Sequence, residues 1–581
     1  MASGVPDARA GGLGAAHGRR RGPRVPTAAP AGAWPVAAGD AACQEPGSPV
    51  GAEAEPASGP AGELTAGPAG APSAPVVARI AGLLAGWAAL SVGIAAKDGR
   101  YGGYAMAAVL AGWALVAVTV ALLGGIGAPA RALGRPVRLA AARLGRPTAW
   151  LSWRVAWLGI ALLVGLGPPL RHPHYYGSGA FVGVAKWLQI AAGLLAAAGV
   201  VASLAGPARP ATPALAWAAA VLRGQWALTA VLVLAVGAGV ATVLAAPDPQ
   251  IDVFHLLQDS ASGLADGTNM YHQVWTTGQA GDLHGGLTDV YPYLPATTVL
   301  LAPFRLLLGD VRYGLLAALV LAVRAIRALA PRLPAAGNPA AGDRAAAHTA
   351  APWPPVLPLL ILILPSYCYA LEQSWTEPLL VACLAVMVWA TRAGRGALAV
   401  VAFAVALATK QHVALLVPVA AVWPAFGARR AAAACGLGCA LVAPWVLDDP
   451  GAFFHDAVRA NLDYPVLDHS LSVPGWADHF GIHLGFGTTA LALVVAYLLA
   501  WRARGDATGF AAGSALVSLT LVELNKQSFF NHYTLPMALL VLAAATALTA
   551  GAGPAAARRP GRDSRAVDDV PAARPPALDK P

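Results

Sequence analysis

From about residue 76 to 550 the chain alternates between long apolar runs and short polar turns. Runs near 20 residues are the length at which a helix crosses the hydrocarbon layer. Such runs fit at about 76–96, 104–127, 150–169, 181–205 and 226–246. Farther along, crossings are expected at 353–371, 377–391, a short pair at 397–409 and 413–426, then 431–447, 484–501, 507–524 and 534–550. The stretch "YPYLPATTVLLAPFRLLLG" (291–309) holds Pro292, Pro295 and Pro303. Irregular backbone at membrane depth needs protein around it, so 294–308 is expected to be partly re-entrant or interfacial, with 311–330 as the crossing segment. The pattern predicts an all-α polytopic membrane protein of about 13 helices.

Composition adds a direction. The chain is 57% apolar and 12% charged with a formal charge of +10, and Arg supplies most of the positive charge. Arg131, Arg135, Arg138, Arg143 and Arg146 crowd one turn, the pattern of a cytoplasmic loop. Placing that turn inside predicts a multi-pass protein of the cell membrane with both termini cytoplasmic. The basic balance is then a matter of topology and membrane lipids, and no nucleic-acid partner is expected. Residues 1–74 and 551–581 lack apolar periodicity, and the first carries no signal-peptide core, so both are expected to be disordered tails. Cys43, Cys368, Cys383, Cys435 and Cys439 form no CxxC pair, and neither a disulfide framework nor a metal site is expected.

On this threading the polar chemistry collects on the outer face, in 247–292, 372–376, 409–412, 448–483 and 523–533. Ionisable groups at membrane depth are costly and mark pathways or sites. "IDVFHLLQDSASGLADGTNMYHQVW" (251–275) opens the first large loop with Asp252, either a helix-capping acid or a general base at the membrane surface. Asp252 and Asp259 are seven residues apart, as are Asp259 and Asp266, hence on one face if the segment is helical. The chain has five Lys against 34 Arg, and two of them stand in KQ pairs, Lys410–Gln411 and Lys526–Gln527, each with a His nearby (His412, His532). Either Lys alone reads as a snorkelling helix end. Together with the imidazoles they suit an anionic ligand such as a phosphate. Glu372, Gln373, Trp375 and Glu377 open a helix from the same side, where an interfacial Trp belt is the plainer reading. The second loop carries Asp463, Tyr464, Asp468, His469, Trp476, Asp478 and His479, a composition that suits sugar binding and equally an ordinary solvated loop. Asp248 with Asp252 is the one pairing to weigh as an ion site.

The order of these features resembles the GT-C class of integral-membrane glycosyltransferases, and within it the bacterial polyprenyl-phosphate-mannose-dependent mannosyltransferases. The likeness runs over about 226–550: the Asp after an outward span, "GLADGTNMY", "YPYLP", "EQSW", "ALATKQHVALLVP" and "NHYTLP". It implies a GT-C-like bundle with large extracytoplasmic loops and Asp252 as the base that deprotonates the acceptor hydroxyl. By position in their motifs Lys410 and His532 would hold the donor phosphate, and His412 and Lys526 beside them could supply further donors to it. Asp259, Asn269, Tyr271, Tyr291, Glu372, Gln373 and Tyr533 would touch substrate. No cofactor is implied. The expected donor is a polyprenyl-phosphate sugar, mannose foremost, and the expected acceptor a glycolipid or polysaccharide of the cell envelope. Two departures stand out: about four helices (75–225) precede the likeness, and Asn269–Met270–Tyr271 stands where the family has Asn-Pro-Tyr. "PLRHPHYYGSG" (169–179) in that added part is a candidate surface for a partner or the acceptor.

A transporter or flippase of a lipid-linked sugar is the competing class. It calls for broken helices and often internal repeats. The Pro-broken 291–308 segment favours it, but no repeat is evident and the polar residues sit at helix ends. A non-catalytic scaffold gripping anionic lipids would leave the polar loops without a role.

Overall fold

The computed structural model describes residues 74–125, 155–170, 174–204, 212–273, 290–329, 356–363, 367–467 and 469–550. The Arg131–Arg146 turn, both tails and Asp468 lie outside the described residues. In chain order the helices include α1 (Ala74–Ala96), α2 (Gly103–Leu123), α3 (Val155–Leu170), α4 (Ala180–Leu204), α5 (Pro213–Arg223), α6 (Gln225–Ala245) and α7 (Asp252–Ala265). They continue with α8 (Ala296–Leu308), α9 (Arg312–Ala328), α10 (Tyr367–Glu372), α11 (Glu377–Arg392), α12 (Gly396–Leu407), α13 (Val417–Val422), α14 (Gly427–Asp448), α15 (Phe486–Ala503), α16 (Ala507–Glu523) and α17 (Phe530–Ala550). Among the described residues no strand occurs, and the protein is an all-α polytopic membrane protein.

Among the described residues seven helices are long and apolar enough to cross a membrane, or eight if the bent pair α8–α9 counts as one. That pair turns through 116° at its break, the irregularity expected of the proline-rich segment. The segment expected to cross at 353–371 is instead a 3₁₀ turn, Leu357–Leu362, followed by the six-residue α10. Pro354, Pro355, Pro358 and Pro365 explain the difference, since each removes a backbone donor and disfavours helix before it. The described part of that stretch is buried, so protein satisfies a backbone that lipid would not.

Helices that are apolar on every side either fill the interior or face lipid. The Phe530–Leu548 stretch of α17 has 83% of its apolar window buried and packs on α16, α1 and α11. Lipid-facing helices contrast with it: 17% of α14 and 22% of α15 are buried. Trp217, Trp226, Leu307 and Phe486 stand 71–84% exposed, as an apolar solvent permits and water does not.

Chain direction gives the bundle two unlike ends. Helix α11 starts at Glu377 and ends at Arg392, about 24 Å away at 1.5 Å per residue. Arg395 begins the return along α12 towards Lys410. Helix α15 ends with Arg502, and α16 returns to Asn525 and Lys526. Arg392, Arg395 and Arg502 therefore lie at one end, and the turns that carry Lys410 and Lys526 at the other.

Candidate functional site

At the polar end a cavity of about 860 Å³ opens among the turns. Asp252, Gln373, Lys410, His412, Lys526 and His532 all line it, although they span 280 residues of sequence.

Asp252 is the first residue of α7, and its Oδ1 accepts the Val253 N–H at 2.8 Å. The N-cap position is held by Ile251, so Asp252 does not cap the helix; the bond to Val253 fixes its carboxylate at the cavity. Burial raises its pKa above the ordinary carboxylate value, against the pull of the backbone N–H groups and of His255. Tyr464, which lines the same cavity, is raised by burial and then by the Asp252 charge. Tyr293 is raised well up by burial, then by Asp252 and by Glu377. Both acids thus act on one phenol.

Lys410 ends a turn that the Pro-rich segment holds in register. The Leu294 and Ala296 N–H groups donate to the Thr409 and Ala408 carbonyls, and Thr297 Oγ1 donates to Thr409 O. Gln411 Nε2 donates to Pro292 O at 2.9 Å and Ala457 O at 2.6 Å, joining both large loops to this turn. Lys410 Nζ lies 2.6 Å from Glu377 Oε1 and 5.6 Å from the centre of the Tyr293 ring. An ammonium has three N–H donors, so the ion pair leaves two for a ligand. Burial, the Lys410 charge and His532 hold His412 well below its ordinary pKa, keeping that ring neutral. His532 Nδ1 accepts the Phe529 N–H at 3.2 Å, which puts the proton of its neutral form on Nε2 as a donor. Lys526 sits at the rim with Nζ donating to Leu462 O at 2.6 Å. Tyr369, Phe530 and Trp375 stack along one wall, with ring centres 4.9 and 6.2 Å apart.

The other expected substrate contacts do not line the cavity. Asp259 is exposed on α7. Asn269 donates to Asp448 Oδ2 at 2.8 Å and accepts the Tyr271 N–H, which fixes the loop. The Tyr271 hydroxyl donates to Tyr293 O at 2.8 Å, and Tyr533 donates to Leu471 O at 2.6 Å. The Tyr291 hydroxyl pairs with Thr298, while its N–H donates to Asp456. Glu372 is fully buried and accepts the N–H groups of Tyr175, Tyr176 and Gly177 at 2.7, 2.7 and 2.6 Å. These residues shape the wall. Asp248 Oδ1 faces His255 Nε2 at 3.8 Å, and Asp248 is not among the cavity residues.

Sequence reasoning singled out 169–179, which carries Tyr175 and Tyr176, but passed over the turn between α1 and α2. Lys97, Asp98 and Arg100, in the turn between α1 and α2, line the cavity together with Tyr175 and Tyr176. The turn is held by Tyr101 N–H donating to His469 O at 2.9 Å. Gly99, at φ +72°, brings its backbone against Phe530, where a Cβ would meet the Phe530 nitrogen at 2.6 Å. A signal was present: three of the five Lys in the whole chain, Lys97, Lys410 and Lys526, line this one cavity. A second cavity, of about 310 Å³, adjoins across Tyr369 and is lined largely by apolar residues such as Trp87, Val92, Leu163 and Ile363. Comparison with models of known families, with curated proteins and with solved structures returns no match.

Proposed function

We propose that the protein is a membrane glycosyltransferase of the GT-C kind. It moves a sugar, mannose foremost, from a polyprenyl-phosphate donor to a glycolipid or polysaccharide acceptor at the outer face of the cell membrane. The observation that carries the reading is the meeting of Asp252 with Lys410, His412, His532 and Lys526 in one cavity, at the helix ends opposite Arg392, Arg395 and Arg502. Basic ends orient towards the cytoplasm, so the cavity would open outside.

In this reading the acceptor hydroxyl attacks the anomeric carbon as its proton passes to Asp252. The bond from that carbon to the phosphate oxygen breaks, and the electron pair leaves with the polyprenyl phosphate, inverting the anomeric centre. The raised pKa makes Asp252 a stronger base than an ordinary carboxylate. Charge develops on the departing phosphate, where the two remaining N–H donors of Lys410, His532 Nε2–H and His412 would meet it. The adjoining apolar cavity offers room for the first units of the lipid chain.

The test is transfer of labelled sugar from polyprenyl-phosphate donors by the wild type and an equally expressed Asp252→Asn variant. A loss of about 100-fold or more is expected, the scale for removing a general base. Full activity in the variant would remove Asp252 from the chemistry. The 116° break between α8 and α9 favours the second reading, transport of a lipid-linked sugar, and movement of donor across vesicles without transfer would establish it.

A further inference from the structure

The carboxylate of Glu377 has work for only one of its oxygens. Oε1 faces Lys410 Nζ at 2.6 Å, while Oε2 has no hydrogen-bond partner among the described residues. The residue is 1% exposed and lines the cavity that holds Asp252. A buried carboxylate oxygen without a donor is costly, and native proteins rarely leave one unless a ligand completes it. The surrounding loop shows the same incompleteness. Ser374 Oγ and Thr376 Oγ1 are buried without partners, and Ser374 holds φ +60°, a left-handed conformation uncommon for a residue with a Cβ. Such strain gathers where a loop is shaped for function rather than for its own stability.

We propose that Glu377 Oε2 accepts a hydrogen bond from the C2 hydroxyl of the sugar being transferred. The inference rests on the glycosyltransferase reading and gives that site a specificity residue. The logic is one of adjacency. Lys410 is the cation placed for the donor phosphate, and the phosphate is attached at the anomeric carbon. The hydroxyl-bearing carbon next to it is C2, and the ring oxygen on the other side has no proton to give. A carboxylate clamped to the phosphate-holding ammonium therefore faces the C2 hydroxyl before any other. The Lys410–Glu377 pair then reads two neighbouring features with opposite demands: an anion that needs donors and a hydroxyl that needs an acceptor. Asp252, Tyr293, Glu377 and Lys410 all line the one cavity, with Lys410 Nζ 5.6 Å from the centre of the Tyr293 ring.

The experiment compares transfer from polyprenyl-phosphate mannose with transfer from its 2-deoxy and 6-deoxy counterparts. In the wild type the 2-deoxy donor should fall by roughly 10- to 100-fold, the effect of losing one hydrogen bond to a charged group, with the 6-deoxy donor falling much less. In Glu377→Gln, whose amide oxygen can still face Lys410, the 2-deoxy penalty should shrink below about threefold while the parent donor slows by about the same 10- to 100-fold. A merely structural role would slow all three donors together. Glu377→Asp keeps the charge for Lys410 and draws the carboxylate back, so it should shrink the penalty too and serves if the Gln variant does not fold. Equal use of the parent and 2-deoxy donors by the wild type would overturn the assignment alone. A 2-deoxy penalty that persists in both variants would overturn it as well. No transfer of the parent donor would remove the reaction and this assignment together.

Discussion

Glu372 gives the sharpest test of how the cavity wall is held. One fully buried carboxylate accepts three backbone N–H groups of the 174–179 turn, two of them on the same oxygen. The turn comes from the early part of the chain and the acid from the middle, about 195 residues apart. In Glu372→Gln the amide oxygen can keep the bonds of Tyr176 and Gly177, but the amide nitrogen then faces the Tyr175 N–H donor to donor. One charge-assisted bond is lost and one buried N–H is orphaned, which should cost roughly 2–4 kcal/mol locally. Burial raises the Glu372 pKa despite those three bonds and Arg312, so holding the charge already costs something, and the lower half of that range is expected. Amide hydrogen exchange at Tyr175, Tyr176 and Gly177 in lipid discs reads the effect directly. A loss of 2–3 kcal/mol corresponds to exchange faster by roughly 30- to 150-fold. Glu372→Ala should be worse, since all three donors lose their acceptor. Exchange in the Ala variant as slow as in the wild type would refute the anchoring role.

Other outcomes follow from the same geometry. Because the Asp252 pKa is raised in the folded protein, transfer should rise with pH along a limb displaced upward from an ordinary carboxylate, then level off, and the pH–rate profile of Asp252→Asn should lack that limb. The sign for stability is the reverse. The charged form is penalised only in the folded state, so the cost is absent below the unfolded pKa and complete above the folded one, and Asp252→Asn should melt no lower than wild type at neutral pH. Tyr271→Phe removes only the hydrogen bond to Tyr293 O; it should lower stability by about 1 kcal/mol and leave donor KM within twofold, as steady-state kinetics would show. Gly99→Ala forces a Cβ into a left-handed position against the Phe530 backbone, and should loosen the α1–α2 turn and lower transfer without touching Asp252. A variant with wild-type melting and transfer would argue against that close approach.

Much of the fold was legible because apolar run length is a strong signal, and most expected crossings coincide with helices. The failure at 353–371 is informative. Hydropathy marks a segment as buried without saying by what, and there the cover is protein around a proline-broken backbone. Within the site, cations and acids placed against the hydrophobic pattern stood out, and Asp252, Lys410, His412, Lys526 and His532 do share one cavity. The tyrosines did not separate in the same way. Tyr271 and Tyr533 spend their hydroxyls on carbonyls 22 and 62 residues away, and no local pattern distinguishes a phenol that braces a loop from one that meets a sugar. Glu377 was visible only as a helix-starting acid, because its partner Lys410 lies 33 residues on.

The docking of the α1–α2 hairpin on the last helices also governs when the site comes into being. Trp113 on α2 donates to Thr520 on α16 across 407 residues, and the Gly99 turn rests on the start of α17. A ribosome delivers the hairpin to the membrane long before its partners exist, and closing so large a loop comes late in assembly. Asp252 and Lys410 would thus be in the bilayer for much of synthesis with one wall of their cavity missing. The cavity is complete only with nearly the whole chain, so a product shortened before α17 would lack one of its walls.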